Sequence, residues 1–176
     1  GVTAAGQYTS TVQAAALQVT SSTLGDADPV PGDLLTLAMC FDNVGELTAH
    51  NVTFVTTLPT GVTFVNGSIT VDAVDQDDDA IINGDETVDN GNFNSGTVTA
   101  TFPTIAQADG TVCLSFEVTV NEDFSGSIQF NPSVNHDDGS GGSYDELTPT
   151  VPTVTVAHVY AVTLVYSGAS LDDTTY

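Results

Sequence analysis

The stretch Leu34-Leu35-Thr36-Leu37-Ala38-Met39-Cys40-Phe41-Asp42 alternates without a break, with Leu35, Leu37, Met39 and Phe41 on one side of an extended chain and Leu34, Thr36, Ala38, Cys40 and Asp42 on the other. Successive side chains of a strand point to opposite faces, so this run reads as a strand with one face in a core. Further period-two runs lie at 52–57, 62–71, 97–102, 111–120, 127–134 and 151–166. They are divided by Pro59-Thr60-Gly61, Asn66-Gly67, Asp109-Gly110 and Ser125-Gly126, residue types that preset a turn or tolerate positive φ. Short strands at this spacing predict an all-β fold of the sandwich kind. Composition points the same way, since 27 Thr and 23 Val among 176 residues favour half-buried pleated surfaces over helix. The best helical candidate, Ala14-Ala15-Ala16-Leu17, is flanked by Val12 and Val19, and the strand reading is preferred.

The chain has no Lys or Arg and 23 Asp plus Glu, a formal charge of −23. Such a surface repels polyanions, which excludes nucleic acid and anionic membrane surfaces as partners. No apolar run approaches the roughly 18 residues of a membrane-spanning helix, so no membrane insertion is expected, and the chain reads as a soluble, already processed protein. Its length allows one domain burying roughly 70% of the unfolded surface; a metal or disulfide would add to that core and is not a precondition for it. Two cysteines, the acidity, and Asn-X-Thr/Ser sites at Asn51 and Asn66, candidate glycan acceptors, favour an extracellular or cell-surface location.

Residues 1–25 carry no charged side chain, and 1–16 read as an N-terminal extended strand arm ahead of a sandwich domain at 17–176. In the arm Val2, Ala4, Gly6, Tyr8, Ser10, Val12, Ala14 and Ala16 fall on one side, with Thr and Gln prominent on the other. Nothing there blunts it: a bare edge strand without Lys, Pro or inward charge is a template for another chain. The expectation is a donor strand, with Val2, Ala4, Tyr8 and Val12 binding a neighbouring copy and the contact repeating head to tail into a homopolymer.

Within an acidic insertion at 73–95, Asp75-Gln76-Asp77-Asp78-Asp79-Ala80-Ile81-Ile82-Asn83-Gly84-Asp85-Glu86 has the spacing of an EF-hand-type loop. Asp75, Asp77 and Asp79 occupy positions 1, 3 and 5, Ile81 offers a backbone carbonyl, Asn83 follows, Glu86 closes the loop, and Ile82 takes the apolar eighth position. Ala80 departs from the usual glycine of the sharp turn. The expected cofactor is Ca²⁺, with loop ordering coupled to binding because crowded carboxylates repel; the competing reading is a solvated acidic loop. Asp26, Asp28 and Asp33, and His136-Asp137-Asp138 with Asp145-Glu146, read as acids serving turns, with a second cation site at each as the alternative. His50, His136 and His158 lack zinc-ligand spacing. Ser68 and Ser115 lack a nucleophile-elbow setting, there is no Trp to floor a sugar subsite, and no Lys or Arg to clamp an oxyanion. No enzymatic activity is expected.

Val30-Pro31-Gly32-Asp33, Asp42-Asn43-Val44-Gly45, Ala49-His50-Asn51-Val52-Thr53 and Leu58-Pro59-Thr60-Gly61-Val62-Thr63-Phe64-Val65-Asn66-Gly67-Ser68 resemble the conserved repeat domain, domain of unknown function eleven, of bacterial and archaeal surface proteins. Gly96-Thr97-Val98-Thr99-Ala100-Thr101-Phe102, Asp109-Gly110-Thr111-Val112 and Asn131-Pro132-Ser133-Val134 continue the likeness, which spans roughly 17–158. The resemblance implies an immunoglobulin-like β-sandwich used as a stalk, spacer or polymer unit, with no catalytic residues to carry over. Alternation turns Cys40 outward from Leu35, Leu37, Met39 and Phe41 and Cys113 outward from Val112, Leu114, Phe116, Val118 and Val120; the resemblance would make these strands antiparallel neighbours and so implies a Cys40–Cys113 disulfide. Free thiols or links between subunits are the alternatives. The function expected is a structural subunit of an extracellular filament or surface layer that polymerises by strand exchange and is stabilised by calcium. The alternative is a secreted adhesin or carbohydrate-binding module that takes glycans on an exposed aromatic platform, for which Tyr144, Phe93 and Phe124 are dispersed candidates.

Overall fold

The computed structural model describes residues 13–72, 74–75, 90–138 and 145–157. In chain order its strands are β1 (Leu17–Leu24), β2 (Leu34–Asn43), β3 (Ala49–Thr57), β4 (Val62–Phe64), β5 (Thr70–Val71), β6 (Val74–Asp75), β7 (Gly91–Asn94), β8 (Thr97–Ile105), β9 (Val112–Val120), β10 (Gly126–Ile128), β11 (Ser133–Asp137), β12 (Asp145–Leu147) and β13 (Val154–Val156). One antiparallel sheet has the order β1-β2-β9-β5-β6, with β4 also on β9; the other has the order β12-β11-β3-β8-β7. β10 and β13 form a small separate pair. The fold is an immunoglobulin-like β-sandwich, as the alternating runs and the resemblance led one to expect.

The inner faces supply the core. Leu35, Leu37, Met39 and Phe41 of β2 are fully buried, as are Phe116 and Val118 of β9, and facing them from the other sheet are Val52 and Phe54 of β3 and Val98 and Ala100 of β8. Aromatic rings lock the layers edge to face, Phe41 on Phe102 at 6.5 Å and Phe116 on Phe130 at 5.8 Å between centroids, the geometry their quadrupoles favour.

Two expected runs are each split. The run at 62–71 breaks into β4 and β5, which follow one another along the same edge of β9. Gly67 turns the chain with φ 77°, and the Ser68 hydroxyl donates to the Val65 carbonyl at 2.6 Å while accepting from the Glu117 amide at 3.0 Å. The run at 127–134 breaks into β10 and β11 because Pro132 between them has no N–H to give a ladder. The ends of the stretch 73–95 join the sheets: β6 pairs with β5, and β7 pairs with β8. Ala14, Ala15 and Ala16 are not helical, and among the described residues the one helical element is a 3-10 turn at Gln107–Asp109.

Candidate functional site

The arm enters the sandwich over the turn between β2 and β3. The Ala14 carbonyl accepts from the amides of Glu46 at 3.1 Å and Leu47 at 3.3 Å, and the Ala16 carbonyl accepts from Val44 at 2.9 Å. Asn43, 4% exposed, joins three segments with one side chain. Its Nδ2 donates to the carbonyls of Leu47 and Ile105, each at 2.8 Å. Its Oδ1 accepts from the amides of Ala16 at 3.2 Å and Gly45 at 3.0 Å. Both amide hydrogens and both lone pairs are thereby used, the condition for burying such a group without loss. Gly45 has to be glycine, because a Cβ there would overlap the backbone of Ala14 and Ala16. Residues 14–16 are thus fastened to their own domain, while Val2, Ala4, Tyr8 and Val12 lie outside the described residues.

Cys40 and Cys113 stand opposite each other in the β2–β9 register and are joined by a disulfide, with Cα atoms 4.1 Å apart. Both side chains are half-buried on the outer face of the sheet. Next to them the hydroxyls of Thr70 and Ser115 share a hydrogen bond of 2.7 Å.

Of the expected calcium ligands, Asp75 is placed in β6, and Asp77, Asp79, Ile81, Asn83 and Glu86 lie outside the described residues. Among the described residues no three His, Cys, Asp or Glu side chains gather to hold a metal. The Asp26 and Asp33 carboxylates serve their own loop, accepting from the amides of Asp28 at 3.0 Å and Val30 at 2.8 Å, as acids in turns do.

Both candidate glycan acceptors are exposed, and they differ in their contacts. Asn51 sits at a bulge between β3 and β11 with φ 50°, and its Nδ2, the atom a glycan would occupy, donates to Asp137 Oδ2 at 2.7 Å. Asn66 is exposed at the tip of its turn. Next to Asp137 in the chain, His136 is buried with Nδ1 unpaired among the described residues. The aromatic candidates are used in packing. Phe93 stacks on Phe64 with centroids 4.1 Å apart, and Phe124 lies where a side chain on Gly61 would be; Tyr144 lies outside the described residues.

No protein-family model and no curated protein sequence matches the chain. Solved structures do resemble it. BcpA, the major pilin subunit of Bacillus cereus, aligns with a TM-score of 0.56 at 13% identity over 80% of this chain and 40% of that one. A Corynebacterium diphtheriae protein described as membrane anchored aligns with a TM-score of 0.51 at 11% identity over 87% of this chain and 37% of that one. The collagen adhesin of S. aureus aligns at 0.47 and 14% identity, over 77% and 48%. The chain spans about two fifths of the length of the first two, and identities this low establish a shared fold alone. No helix among the described residues is long and apolar enough to cross a membrane.

Sequence reasoning passed over Asn43 as a working residue. The signal was present: the inward positions of β2 run 35, 37, 39, 41, 43, so the strand's own alternation carries a polar amide into the interior at its end.

Proposed function

We propose that the chain is a structural subunit of an extracellular filament or surface layer, joined to its neighbours by strand exchange through arm residues Val2, Ala4, Tyr8 and Val12 and steadied by Ca²⁺ in the loop 75–86. The observation that carries this reading is the arm junction. Residues 14–16 are hydrogen-bonded over the β2–β3 turn at one end of the sandwich, and the uncharged residues 1–12 join the chain at that end. A disulfide on the outer face supports a location outside the reducing cytosol. The fold shared with a pilin subunit fits a unit that works by being stiff and repeated. Calcium has a role in this scheme beyond its loop, since copies at −23 repel and bound cations or salt lower that barrier.

The test is removal of residues 1–12. The shortened chain stays folded and monomeric in calcium, while the full chain grows into fibres visible by electron microscopy. A shortened chain that still polymerises refutes the strand exchange. Terbium luminescence checks the ion separately: stoichiometric binding to the full chain, lost in the Asp77→Ala, Glu86→Ala double variant.

A further inference from the structure

β1 pairs with β2 along one edge, and among the described residues its other edge bonds to no strand. That edge strand, Leu17–Leu24, contains neither acid nor proline, and its core-facing Leu17 and Val19 are only partly covered. An uncharged edge with half-open apolar side chains is a template for one more strand. Residues 14–16 of the same copy do not turn back beside it: with the Ala14 and Ala16 carbonyls held by Glu46, Leu47 and Val44, the described chain continues past the Leu17 end of β1 along the β2–β3 turn.

The large apolar side chains exposed among the described residues mark the two ends of the sandwich. Val44, 56% exposed, sits where the arm leaves; Leu34 at 52% and Val30 at 39% sit at the opposite end, where the loop 25–33 leads into β2. The ten residues of β2 put those ends about 30 Å apart at the rise of a strand. Residues 1–12, extended, reach about 40 Å, which exceeds the roughly 26 Å of an eight-residue β1.

We propose that residues 1–12 of one copy add to the free edge of β1 in the next copy, end to end, with Val44 against Val30 and Leu34, and that the added strand runs parallel to β1. The acceptor named here rests on the strand exchange proposed above. Its direction follows from connectivity. In every copy residue numbers fall from the Leu24 end of β1 to Leu17 and on through Ala14 to the exit. A copy stacked in the same orientation presents the Leu24 end of its β1 first, and the arriving arm continues past it with falling numbers, so both strands point the same way. Parity fits as well. With Val12 beside Leu24, the extra residue of β1 at the bulge between Val19 and Ser21 brings Tyr8 beside Val19 and Gly6 beside Leu17, keeping the apolar side of the arm over the core.

Cross-linking between copies tests both acceptor and direction. Isotope-labelled Thr11→Cys protein is mixed with unlabelled Thr23→Cys protein after the native disulfide has formed, fibres are grown and oxidised, and linked peptides are read by mass spectrometry. The pair Thr11→Cys with Thr23→Cys links between copies, at least tenfold more than Thr3→Cys with Thr23→Cys. The reverse preference overturns the parallel direction. Fibres with no link to β1 from any arm position overturn the acceptor but leave the filament standing, and a full chain that never polymerises overturns both.

Discussion

Replacing Asn43 by alanine removes four hydrogen bonds at once, and the structure says which of them matter. The bonds to the Ile105 carbonyl and from the Gly45 amide are buried; those involving Leu47 and Ala16 are part-buried, where the freed groups can turn to water. Each buried group left without a partner costs about 1–3 kcal/mol, and each solvent-reachable one about 0.5 kcal/mol. Asn43→Ala is therefore expected to destabilise by about 3–7 kcal/mol. For a chain of this size that lowers the melting temperature by about 6–28 °C. The assay is guanidinium unfolding followed by tryptophan-free signals such as far-UV circular dichroism, with the midpoint falling and the slope unchanged. Asn43→Asp preserves shape but sets a carboxylate oxygen against the Leu47 and Ile105 carbonyls. Burial next to acceptors disfavours the charged form, so the folded state binds the proton more readily than the unfolded one, and the deficit relative to wild type shrinks as pH falls and the carboxyl regains a donor. An Asn43→Ala variant within about 1 kcal/mol of wild type would falsify the view that this side chain ties the arm to the domain.

Reduction of Cys40–Cys113 frees a loop with a sequence separation of 73, worth about 4 kcal/mol in the chain-entropy model; calorimetry with and without reductant reads it, and an unchanged melting temperature contradicts it. Gly45→Ala forces a Cβ into the backbone of Ala14 and Ala16, so amide exchange at Val44, Glu46 and Leu47 accelerates while the protection of β9 is retained; uniform acceleration across both sheets would instead mean global destabilisation. Offered a glycosylating extract in the folded state, Asn66 is modified and Asn51 is not, because the Asn51 amide nitrogen is bonded to Asp137; Asp137→Ala opens Asn51, and peptide mapping that finds Asn51 equally modified in wild type contradicts this. Fibre growth of the full chain accelerates as sodium chloride rises from about 0.01 to 0.15 M, over which the screening length shortens from about 30 to 8 Å, and light scattering that is flat across this range refutes an electrostatic barrier.

The inward set of β2 and the alternation of β9 are visible in the chain because side-chain direction in a strand repeats every two residues, a local property that needs no knowledge of neighbours. The same local rule put both cysteines on the outer face. It failed where strands end: 62–71 is read as one run although Asn66-Gly67 within it is a turn signal and the apolar positions change from even to odd there, and in the structure Gly67 and Ser68 break it against β9, whose amide and carbonyl at Glu117 are the partners. A turn signal marks the break in the chain, but the partners that the freed groups find belong to the pair of strands and leave no trace in either one.

The all-β class, the faces of the main strands and the absence of charge from the first 25 residues are legible in the chain, since each depends only on residue type and short-range order. Tertiary structure alone decided the register that sets Cys40 opposite Cys113, the reach of Asn43 to Ile105, 62 residues away, and the engagement of Asn51 by Asp137, 86 residues away. It also decided that the chain at 14–16 is bonded along the β2–β3 turn ahead of β1. Contacts at such separations are fixed by which strands become neighbours and with what stagger, and a two-residue period is the same for every stagger that keeps the apolar face inside.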